Sequence, residues 1–63
     1  MEMTKERLTD YFEQLKTDAT RLKNYTYTHT YKTLTTAEKY LITEQYKLTM
    51  KLLDVVEARL SLC

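Results

Sequence analysis

Glycine and proline are both absent from this 63-residue chain. Sandwiches, barrels and phosphate-cradling loops draw on glycine for backbone conformations that other residues resist. Their absence predicts helices joined by few turns. The single cysteine, Cys63, excludes an internal disulfide, and with a single histidine it leaves too few ligands for a zinc site. No metal and no cofactor are expected. Long apolar runs are also missing: none approaches the roughly 18 residues of a membrane span. The opening Met1-Glu2-Met3-Thr4-Lys5-Glu6-Arg7 lacks the apolar core of a signal peptide. The expected location is cytoplasmic, with Cys63 a free thiol. Charge of one sign is lacking too. Ten basic residues face nine acidic ones, a net charge of +1, which gives no basic excess to hold a nucleic acid polymer.

A chain this short makes one domain and buries only about 60% of its unfolded surface. Without disulfide or metal, oligomerisation is the remaining way to enlarge the core.

The first segment reads as a helix over about 4–24. Thr4 is placed as an N-cap, and Met3 and Leu8 occupy the two positions of a hydrophobic staple. Leu8, Tyr11, Phe12, Leu15, Ala19 and Leu22 recur at threes and fours, as one helical face requires. The second helix, about 36–61, has the clearer start. Thr35-Thr36-Ala37-Glu38 is a capping box, with Thr35 and Glu38 each able to satisfy the other's backbone amide. Its apolar residues fall in two adjacent stripes. One holds Ala37, Leu41, Leu48, Leu52, Val55 and Leu62. The other holds Ile42, Thr49, Leu53, Val56 and Leu60. Together they make a face wider than one antiparallel helix covers, so the excess must meet another subunit or stand as an exposed patch. The expected fold is all-α: a long antiparallel helical hairpin assembling into a homo-oligomeric bundle.

Between the helices, residues 25–34 form a Tyr/Thr-rich connector. Tyr25 to Thr33 holds three of the six tyrosines, the only histidine and four threonines. Tyr25 to Tyr31 alternates bulky residues with threonine, a strand pattern, but a lone strand has no partner in this chain. Three conformations fit: an extended connector, a strand paired across subunits, or a helix continuing through Tyr25 and His29. An irregular or kinked connector fits best, with the helical continuation next. Asn24 offers a left-handed cap to end the first helix.

Tyrosine, threonine, histidine and lysine together can stack on a base, hydrogen-bond a ribose and meet a phosphate. Tyr27, His29, Tyr31, Lys32 and Lys47 are the candidate ligand-binding residues. Each also has a plainer role. Tyr25, Tyr27 and Tyr31 can pack the hairpin tip with their hydroxyls wet. His29 can be a hydrogen-bonded structural residue, and Lys32, Lys39 and Lys47 can form a solvated face. No catalytic constellation is present. Carboxylates are scattered among basic residues, and the only serine, Ser61, is remote from His29. No enzyme activity is expected.

The stretch Tyr31-Lys32-Thr33-Leu34-Thr35-Thr36-Ala37-Glu38-Lys39-Tyr40-Leu41-Ile42 resembles a pattern in phage anti-defence sponges. These small helical proteins sequester the nucleotide second messengers of bacterial anti-phage systems such as CBASS and Thoeris. The pattern there is Tyr, a basic residue, a small residue, Leu, Ser or Thr, two variable residues, Glu, Lys, then an apolar pair. The stretch is also similar to a wider group of small phage hairpin proteins, whose second helix is matched here by Gln45, Leu48, Leu52-Leu53, Val55-Val56 and Arg59-Leu60. The resemblance covers about residues 25–60. It implies a homo-oligomer, with a hexamer as one form, and ligand pockets between subunits. It implies that Tyr31 stacks on a base. It also implies that a lysine of the second helix meets a phosphate: Lys47 is the nearest match, Tyr46 stands one residue away, and Lys32 is a second candidate. The implied partner is a nucleotide second messenger, a cyclic oligonucleotide or a cyclised ADP-ribose. The rival expectation is a small phage hairpin that binds and inhibits a host protein through its apolar helix face.

Overall fold

A computed structural model describes residues 4–62. Three helices follow one another: α1 (Lys5–Tyr25), the single turn α2 (His29–Lys32) and α3 (Thr36–Ser61). No strand occurs among the described residues.

Each helix begins on a threonine. Thr4, Thr28 and Thr35 are extended, with ψ of 162°, 157° and 161°, and each hydroxyl oxygen accepts from the backbone amide three residues on. At Thr35 the reciprocal half is also present. The Glu38 carboxylate accepts from the Thr35 amide at 3.3 Å, while Thr35 Oγ1 accepts from the Glu38 amide at 3.2 Å. Such caps satisfy amides that have no partner within the helix. The expected staple partner Met3 lies outside the described residues.

The strand-like alternation of the connector does not make a strand. Threonine hydroxyls there donate backwards to carbonyls three residues earlier: Thr26 to Lys23 at 2.6 Å, Thr28 to Tyr25 at 2.7 Å and Thr33 to Thr30 at 2.7 Å. These local bonds serve the carbonyls left open at two helix ends and hold the chain in a succession of turns. Nor does Asn24 act as a left-handed cap. It lies inside α1, and no described residue has a positive φ. The C-cap is Thr26 in the right-handed helical region, its amide shared among the carbonyls of Leu22, Lys23 and Asn24.

The molecule is a rod of 43 × 19 × 16 Å. A 26-residue helix alone is about 39 Å long, so α1 has room only alongside α3, and the two are in contact in the manner of a helical hairpin. Among the described residues, the seam between them holds the buried core: Leu8, Leu15 and Ala19 from α1, Leu53 and Val56 from α3. Tyr11, Phe12, Tyr46 and Leu60 flank it, half-buried. Of the two α3 stripes, the Ile42, Thr49, Leu53, Val56 and Leu60 stripe therefore faces α1. The stripe of Leu41, Leu48, Leu52, Val55 and Leu62 stays exposed. With a radius of gyration of 14.3 Å, the chain is more extended than the roughly 11 Å of a compact domain of this length.

Candidate functional site

Helix α2 and the turns around it form one end of the rod and carry four of the five candidate residues. Tyr27 follows the end of α1 and is 72% exposed. His29 and Lys32 are the first and last residues of α2, both exposed. Tyr31, between them, is half-buried. Lys47 is not part of this group. It lies 11 residues into α3 from Thr36, about 16 Å along the axis, and its ammonium pairs with Glu44 at 3.5 Å.

Tyr31 has two partners. The ring of Tyr25, the last residue of α1, meets it edge to face, with centroids 6.1 Å apart and planes at 79°. The ammonium of Lys39, from the first turns of α3, stands 5.7 Å from its centroid. Edge-to-face pairs contribute about 0.5–1.5 kcal/mol and a partly exposed cation–π contact about 0.5–1 kcal/mol. Tyr31 thus ties together all three helices. In a single chain one face of its ring is already taken by a cation, and that cation would lie beside a phosphate held near Tyr31.

Three of the four connector threonines, Thr26, Thr28 and Thr33, are committed otherwise. Their hydroxyls act as caps and as donors to backbone carbonyls. The polar vocabulary offered outward by the tip is therefore Tyr27, His29, Thr30 and Lys32, with the Tyr25–Tyr31–Lys39 cluster behind them.

The sequence reading passed over a second feature. A shallow groove of about 270 Å³ runs beside the helix seam, lined by Lys16, Ala19, Thr20 and Lys23 of α1 and by Tyr46, Met50 and Leu53 of α3. Each helix supplies residues at i, i+4 and i+7, a spacing visible in the sequence; that the two rows face each other is not. Lys16 is engaged on its own helix, with Glu13 at 3.7 Å and above the Phe12 ring at 5.5 Å.

Among the described residues, no three His, Cys, Asp or Glu side chains converge where they could hold a metal ion, and no helix is long and apolar enough to cross a membrane. No protein-family model, curated protein or solved structure matches this chain.

Proposed function

We propose that this chain is a non-catalytic binding protein that sequesters a nucleotide-derived immune second messenger, in the role that its sequence resemblance to phage anti-defence sponges implies. The carrying observation is the hairpin tip. Three tyrosine rings and two lysines lie within it, and of these Tyr27 and Lys32 face outward together with His29. An aromatic ring contributes about 1–3 kcal/mol per stacked base, and the lysines supply charge for phosphate. A sponge needs affinity and abundance, not turnover. Small ligands favour concave sites with a few convergent polar groups. In this reading the concavity forms where tips of several subunits meet, and Lys47 enters it from a neighbouring chain.

The deciding experiment is isothermal titration of the protein against cyclic dinucleotides, cyclic trinucleotides and cyclised ADP-ribose derivatives, with recovery of the ligand after denaturation. Tight binding with the ligand returned intact is the expected result. A cleaved ligand would mean an enzyme, and no heat with any member of the panel would sink the sponge reading.

One observation favours a second reading. The outward stripe of α3 is an apolar surface on a small hairpin, which suits a protein that binds and inhibits a host protein. That reading predicts co-purification of one host protein, lost on Leu48→Glu and kept on Tyr31→Ala.

A further inference from the structure

We infer that the outward stripe of α3 is covered by the same stripe of a second copy of this chain, the two helices running antiparallel. Leu41, Leu48, Val55 and Leu62 stand seven residues apart, and Leu52 fills the gap between the middle two. They are 64%, 67%, 49%, 88% and 38% exposed in the single chain. A strict seven-residue apolar repeat keeps one seam facing a partner helix along its whole length, by a slight left-handed supercoil. The seam against α1 has the same period, in Ile42, Thr49 and Val56 and in Tyr46, Leu53 and Leu60. Helix α3 therefore carries two helix-packing seams, and only one has its partner within the chain.

Area and charge identify the occupant. The five residues expose roughly 600 Å², so two copies would bury roughly 1,200 Å² with these side chains alone, the lower edge of a specific interface. Beside the apolar row lie Glu44 near one end, Lys51 in the middle and Arg59 near the other end. Parallel copies in register would set Glu44 near Glu44 and Arg59 near Arg59, whereas Lys51, next to the centre of the stripe, meets its counterpart in either arrangement. An antiparallel pair about a two-fold axis near Leu52 brings the Glu44 end of each stripe to the Arg59 end of the other, twice over. It also opposes the two helix dipoles. The stripe is thus complementary to itself, as a two-fold interface requires.

The test uses the full chain with Cys63→Ser, so that no disulfide can mimic the contact. Sedimentation over a wide concentration range should show an assembly of at least twice 7.6 kDa. Leu48→Glu should raise the dissociation constant about a hundredfold or more, because both copies lose a buried leucine, with the helical circular dichroism unchanged. A spin label on Tyr40→Cys reads the direction. Antiparallel helices place the two labelled backbones about 35 Å apart along the axis, and parallel ones leave them about 10 Å apart. A monomer at every concentration, an assembly indifferent to Leu48→Glu, or a short label distance would each overturn the inference. The pairing rests on no ligand: loss of nucleotide binding with the assembly intact would count against the sponge alone.

Discussion

Val55 and Val56 are adjacent, identical, and on opposite sides of the question of which α3 stripe makes the core. Val56 is 1% exposed in the single chain, whereas Val55 is 49% exposed. Val56→Ala removes two buried methyl groups, worth about 1.6 kcal/mol at about 0.8 kcal/mol each, and the cavity left behind adds about 1 kcal/mol. Alanine is the better helix former by about 0.5 kcal/mol, which leaves a net loss of about 2 kcal/mol. Val55→Ala has the same propensity gain and little burial to lose in a lone chain. At protein concentrations below association it should be neutral or slightly stabilising. At high concentration it should turn destabilising, as the outward seam becomes a second core. The assay is urea unfolding followed by far-ultraviolet circular dichroism at a low and a high protein concentration. Equal costs for the two substitutions at the lowest concentration would refute the assignment of the inward stripe. A Val55→Ala effect independent of concentration would refute the burial of the outward one.

Thr35→Ala removes one half of the capping box and should cost about 1 kcal/mol, read as a lower urea midpoint with an unchanged slope. A double-mutant cycle of Tyr31→Ala and Lys39→Ala should give a coupling of about 0.5–1 kcal/mol in the free protein; additive effects would mean that the ammonium does not sit on the ring in solution. In the liganded protein, Tyr31→Ala should weaken binding about 5- to 100-fold by titration calorimetry, and unaltered affinity would remove Tyr31 from the site. Lys47→Ala should change stability by less than about 0.5 kcal/mol, since its pair with Glu44 is solvent-exposed. A larger thermal shift would reveal a contact that the single chain lacks.

What the sequence made legible was local. The Thr35–Glu38 box needs only four consecutive residues, and its geometry follows from their types. Both α3 stripes are readable as periods. Which of them turns inward is not, because a helix face is chosen by the surface of α1, where Leu8, Leu15 and Ala19 are the buried members. In the connector, the alternation alone does not decide the conformation. Alternating threonines match a strand, yet a threonine hydroxyl can also reach a carbonyl three residues back, and in the absence of a partner strand that local bond prevails. At the candidate site, the types Tyr31 and Lys32 are visible in the sequence. The cover of Tyr31 by Tyr25 and Lys39 depends on how three helices meet and has no sequence signature. The distance of Lys47 from the tip follows from helix rise once the start of α3 is known.

The turn between the helices contains no residue that the helical region forbids. Thr26 and Thr33 already lie in the right-handed helical region, whereas Thr28 and Thr35 are extended, with ψ near 160° against the helical value near −42°. Each is held there by a cap worth about 1 kcal/mol. The hairpin is therefore kept shut mainly by the seam between its arms. With the whole connector helical, the chain would become one continuous shaft with its apolar seam bare. Two such shafts could recover every buried contact by exchanging arms, each supplying the α1 that the other lacks. Closed hairpins and arm-exchanged pairs then differ in connectivity but hardly in contacts. Thr28→Ala combined with Thr35→Ala should move the population toward the exchanged form, visible as a slowly dissociating dimer that persists when Leu48→Glu has disabled the outward stripe.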